Sequence, residues 1–183
     1  MYISEKLRKE NQSEYLLYLW SVEDMIRSCE LDIEILRERV VKPYRLSAEQ
    51  EEAYVEWLQD RINMMRDEGV AENGHLQIHR NVMIKLSDLH QQLLASTKFP
   101  FYNGAYYKAL PFIVEFRAKS EAEKRGIGEV ESCFEMLYQV MMLRLHKQEI
   151  TEQTMKALEP IQNFISLLAN YKEKDDVGEL KFD

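Results

Sequence analysis

The stretch that most constrains this chain is Gly128–His146, GEVESCFEMLYQVMMLRLH. Val130, Cys133, Phe134, Leu137, Tyr138, Met141 and Leu145 recur at spacings of three and four, which is one face of a helix. Met136, Val140, Met142 and Leu143 fill the other sides, so the C-terminal half is apolar nearly all round. Such a helix belongs inside protein or lipid. Glu131, Glu135, Gln139 and Arg144 interrupt it, whereas a bilayer span needs an apolar run of roughly 20 residues. The expectation is a central helix, about 128–147, in a helical bundle.

A chain of 183 residues suits a single domain, 1–183, able to bury a core without disulfide or metal. Six glycines and four prolines fit a mostly helical chain. A net charge of -8 opposes binding to nucleic-acid phosphates, which relies on Lys and Arg, and to anionic membrane surfaces. Cys29 and Cys133 each sit in an apolar stripe, with no zinc spacing and no disulfide framework. The charged N-terminus MYISEKLRKENQSEY lacks the apolar run of a signal peptide, so the expected location is cytoplasmic.

Along the chain, Ser4–Asn11 reads as a short, marginal helix. Ser13 fits the cap of a stronger one, with Tyr15, Leu19, Val22, Ile26 and Cys29 on one face. Asp32 caps a short helix that Pro43 ends. Ser47-Ala48-Glu49-Gln50 has the form of a capping box opening a helix to about Glu68. Gly69 and Asn73-Gly74 mark a turn. A helix follows from about His75 to Thr97 and is broken by Lys98-Phe99-Pro100. Another begins around Asn103 and carries Pro111 to about Ser120. Thr151 caps the last long helix, which Pro160 is expected to kink or divide. The charged tail, 172–183, is expected to be mobile. No strand run, repeat or low-complexity tract interrupts this pattern, giving an all-α single-domain bundle of six or seven helices.

Three groups of residues are candidates for chemistry. His75 and His79 lie four apart and share a helix face, the spacing of a two-histidine metal site. His90 is about 16 Å further along the helix, too far to join them. The competing reading is a set of boundary histidines, partly exposed and hydrogen-bonded. The second group is KFPFYNGAYYKALPF, where Phe101, Tyr102, Tyr106 and Tyr107 offer apolar bodies with polar tips suited to an interface or pocket. The competing reading there is an aromatic cap on the bundle core. The third is Glu23 with Arg27, an i,i+4 pair of the usual solvated kind. Neither cysteine has a histidine placed to activate it, and no Gly-x-Ser-x-Gly turn is present.

The N-terminal segment carries a resemblance. Met1-Tyr2-Ile3, Leu7-Arg8-Lys9-Glu10-Asn11, Glu14-Tyr15-Leu16-Leu17-Tyr18-Leu19-Trp20 and Val22-Glu23-Asp24-Met25-Ile26-Arg27 resemble an uncharacterised bacterial, single-domain, all-helical family with a domain-of-unknown-function label. The resemblance implies a bacterial cytoplasmic protein and brings neither catalytic residue nor cofactor. The reading that results is a non-enzymatic helical protein acting through self-association or a protein partner. No nucleic acid, membrane or cofactor is expected. The alternative is a small-molecule-binding or metal-dependent helical enzyme using His75 and His79.

Overall fold

Ser47 and Gln50 cap each other as their spacing predicts. The Ser47 hydroxyl accepts from the Gln50 amide, and the Gln50 side chain accepts from the Ser47 amide. These reciprocal bonds satisfy two donors that a helix start leaves open. In the computed structural model, which describes residues 12–120 and 126–183, this cap opens one of seven α-helices. They are α1 (Gln12–Ser28), α2 (Ile33–Leu36), α3 (Ala48–Asp67), α4 (Gln77–Ala95), α5 (Pro100–Lys119), α6 (Glu129–Leu145) and α7 (Glu152–Asp176). The chain is all-α, with no strand among the described residues. The expected helix Ser4–Asn11 lies outside them.

By its internal contacts the chain divides into two compact units, with the division inside α4 between Asn81 and Val82. In the first unit, α1, α2 and α3 enclose Val22, Ile26, Leu36, Leu58, Ile62 and Met65, joined by Leu76. Asp32 caps α2 by accepting from the Glu34 and Ile35 amides. The chain then continues through a π turn, Arg37–Val41, and a 3-10 turn, Lys42–Tyr44, with Pro43 in the last. Arg45, at φ 50, turns it out of helical geometry. Gly69 and Gly74 take φ of 70 and 85 in the turn before α4, a backbone shape that glycine adopts without steric cost.

The second unit is organised by α5 and α7, which pack along each other more extensively than any other helix pair. Ala105, Ala109 and Ile113 of α5 and Ile161, Phe164, Ile165 and Leu168 of α7 are buried. Helix α5 starts three residues before the expected Asn103, because Pro100 occupies its first turn, where no amide partner is required. Pro160 does not divide α7, which runs unbroken from Glu152 to Asp176 behind its Thr151 cap. Helix α6 buries Val130, Cys133, Phe134, Met136 and Val140. Its C-terminal half, expected to be surrounded, is only partly covered, and Leu145 is 65% exposed. The segment from Lys172 is helical as far as Asp176, and Lys172 itself is buried beside Asp175 and Asp176.

Candidate functional site

Position 23 lies three, four or seven residues from Leu16, Leu19, Trp20 and Ile26, so α1 places Glu23 on its apolar face. A buried carboxylate is costly unless donors surround it. Glu23, 1% exposed, has three: His75 Nδ1 at 2.6 Å from Oε2, His79 Nδ1 at 2.6 Å from Oε1, and the Leu76 amide at 2.9 Å from Oε1. Burial pushes this carboxyl up. The hydrogen bonds from His75, His79 and Leu76, with the field of His79, outweigh it and hold it at about 2. An ionised carboxylate only accepts, so each Nδ1 carries the hydrogen.

The surface pair expected of Glu23 and Arg27 is therefore absent. Arg27 instead bonds Asp24 at 2.8 Å, the Val70 carbonyl at 3.1 Å and the Gly74 carbonyl. It holds the turn that delivers His75. Trp20 stacks on His75, with ring centroids 4.2 Å apart and planes 11° from parallel. His79 is 2% exposed, and its Nε2 has no partner among the described residues. His75 and His79 do come together, but on a shared carboxylate. Among the described residues no group of three or more His, Cys, Asp or Glu is placed to hold a metal ion.

A second polar centre lies inside the other unit. His90, 1% exposed, shares a hydrogen bond of 2.7 Å with the Tyr102 hydroxyl and packs edge-on against Phe164. Tyr106 donates to Glu129 Oε2 at 3.0 Å, and the same oxygen lies 3.6 Å from His90 Nε2. Burial lowers the His90 pKa, outweighing the opposing pull of Glu129. Burial, with the Glu129 hydrogen bond and charge, pushes Tyr106 up to about 12. Burial and Glu129 likewise push the Cys133 thiol up, so it is no thiolate nucleophile at neutral pH. His79 and His90 are thus interior groups rather than the partly exposed boundary residues expected of them.

The aromatic segment divides by helix face. Tyr102 and Tyr106 point into the core, 0% and 7% exposed, while Phe101 and Tyr107 point out, 85% and 64% exposed. Gly104, Lys108, Pro111 and Val114 share the outward side. The segment thus contributes Tyr102 and Tyr106 to the core and leaves Phe101 and Tyr107 exposed on the other side of α5. Spacing alone does not mark Glu23 as a centre; the signal for it is an acid set inside the α1 apolar stripe.

A family model described as Domain of unknown function (DUF4924) matches residues 1–179, nearly the whole chain, and the chain belongs to that family. No curated protein and no solved structure matches it. No helix among the described residues is long and apolar enough to cross a membrane.

Proposed function

We propose that this member of the DUF4924 family is a non-enzymatic helical protein that works by self-association, with the outward face of α5 as the contact. The observation that carries this is the exposure of Phe101, Tyr107 and Val114, at 85%, 64% and 56%, along one side of one helix. Large apolar side chains left exposed on one helix face are a feature of association sites. Its partner is a second copy. At a net charge of -8, two copies repel across most of their surfaces, and this strip carries Lys108 as its central charge. A helix face meeting its own copy about a two-fold axis makes a closed dimer. Gly104 and Ala118 on the same side let two helix backbones approach closely.

Sedimentation velocity on the wild-type chain and on a Phe101→Glu, Tyr107→Glu double variant tests this. The expected result is a wild-type dimer and a monomeric variant with unchanged circular dichroism. A wild-type chain that stays monomeric at its highest soluble concentration overturns the reading.

A second reading, a small-molecule-binding or metal-dependent enzyme using His75 and His79, is favoured by one observation. With Nδ1 tied to Glu23, His79 keeps a buried Nε2 that no described residue bonds. A carboxylate behind an imidazole is also the usual support of a metal-bound histidine. Metal analysis of untagged protein decides: one equivalent of a transition metal supports it, and only traces remove it.

A further inference from the structure

After α7 the chain turns at Gly178, whose φ of 71 is left-handed, and residues 180–183 run to the start of α5. There two consecutive side chains are received by four consecutive residues. The Asp183 carboxylate oxygen Oδ2 accepts from the Ser96 hydroxyl at 2.9 Å, the Thr97 amide at 2.8 Å and the Thr97 hydroxyl at 3.1 Å. Lys98 Nζ lies 3.2 Å from Asp183 Oδ1 and donates to the Phe182 carbonyl at 2.9 Å. The Phe182 ring sits 5.5 Å from Phe99, which is itself edge-on to Tyr171 at 5.2 Å.

The parts are those of a peptide-recognition site. Phe99 and Tyr171 give an aromatic wall, Ser96 and Thr97 a carboxylate cradle, and Lys98 a clamp on both charge and main chain. The cradle suits an ionised acid: all its polar groups on the carboxylate donate, and its amide and hydroxyl donors with Lys98 hold Asp183 at about 2. A neutral side-chain amide presents one acceptor oxygen and no charge for Lys98.

We infer that Ser96–Phe99 and Tyr171 form a docking site for an aromatic residue followed by aspartate, filled here by Phe182 and Asp183 and open to the same pair on a partner protein. The chain's own pair, tethered a few residues beyond α7, competes at high effective concentration and keeps the site closed to weak ligands. This inference does not depend on the self-association reading, since the site uses none of Phe101, Tyr107 or Val114.

The probe is the acetylated and amidated peptide Glu-Leu-Lys-Phe-Asp, titrated into full-length chain while the Thr97 amide resonance is followed by NMR. A Phe182→Ser, Asp183→Ser variant is expected to bind it saturably. Wild-type chain should bind about tenfold or more weakly, as should a peptide carrying asparagine in place of aspartate. Asp183→Asn alone, which leaves Phe182 in place, serves as a second opened variant, with circular dichroism reporting the fold of each. Failure of the folded opened variants to bind overturns the inference. So does equal affinity for the aspartate and asparagine peptides. Sedimentation of the same samples reports self-association separately, so either proposal can fail alone.

Discussion

The two interior centres use the same groups in opposite arrangements. In the first unit a carboxylate is buried in the middle and the imidazoles surround it. In the second an imidazole is buried in the middle, and Glu129, whose side chain is 29% exposed, lies at the edge. Burial is the largest influence on both central groups, yet it wins only once. Three donors overturn it at Glu23, whereas one partly exposed carboxylate does not overturn it at His90. The number and placement of hydrogen bonds, rather than depth alone, decide which form of a buried group is stable.

Removing the first central group should have the largest effect. Glu23→Ala strands two imidazoles and an amide, and should cost about 3–5 kcal/mol in denaturant unfolding. Glu23→Gln, which keeps an acceptor, should cost less. A loss below about 1 kcal/mol for the alanine variant would mean that the buried carboxylate is replaceable.

Acid should separate the centres by order of failure. Glu23 has a folded pKa below its ordinary 4.5, so its contribution is complete above about 4.5 and is lost as pH falls toward about 2. A shift of that size corresponds to roughly 3 kcal/mol. His90 is a base whose folded pKa is lowered from 6.5, so folding resists its protonation. Its contribution is complete above 6.5 and declines as pH falls below that value. Unfolding free energy against pH should therefore fall in two stages, with the lower one smaller in Glu23→Gln, where Asp183 still contributes to it. A single stage would show that the centres do not titrate independently.

The second centre should respond more mildly. Tyr102→Phe leaves His90 Nδ1 without a partner and should cost about 1–2 kcal/mol. Tyr106→Phe, whose partner Glu129 reaches solvent, should cost about 0.5–1 kcal/mol. The reverse order would place the more important hydrogen bond at Glu129. On the outward face, Phe101→Ser and Tyr107→Ser should change stability by no more than about 0.5 kcal/mol, since neither side chain packs in the core. A larger loss would move those residues from surface to scaffold.

Local signals made most of the helices legible. The Ser47–Gln50 box, the Thr151 cap and the Asp32 cap all form where the side-chain chemistry places them. The break at Lys98-Phe99-Pro100 separates α4 from α5 as expected, but α5 begins at Pro100 rather than near Asn103, because a proline fits the first turn of a helix. Of the two effects expected of Pro160, a kink or a division, the division does not occur: α7 runs through it while packed along α5. The sites were harder to read. His75 and His79 meet on one carboxylate more than fifty residues earlier in the chain, a group whose spacing points instead to Arg27. Such a partnership follows from which faces meet, not from spacing along one helix. The face of α5 was legible in composition but not in direction, because Phe101 and Tyr102 are neighbours that point opposite ways.

Both tryptophans of the chain, Trp20 and Trp57, belong to the first unit. Trp20 lies against the imidazole of His75, and Trp57 lies beneath the guanidinium of Arg61 at 5.0 Å. Indole emission excited at the red edge therefore reports on that unit alone, and with the Glu23 centre intact it watches the ring that the carboxylate holds. The second unit is dark at that wavelength and visible only through tyrosine and the far-ultraviolet helix signal. A melt followed at both wavelengths on one sample would show whether the two halves let go together, without labels or substitutions.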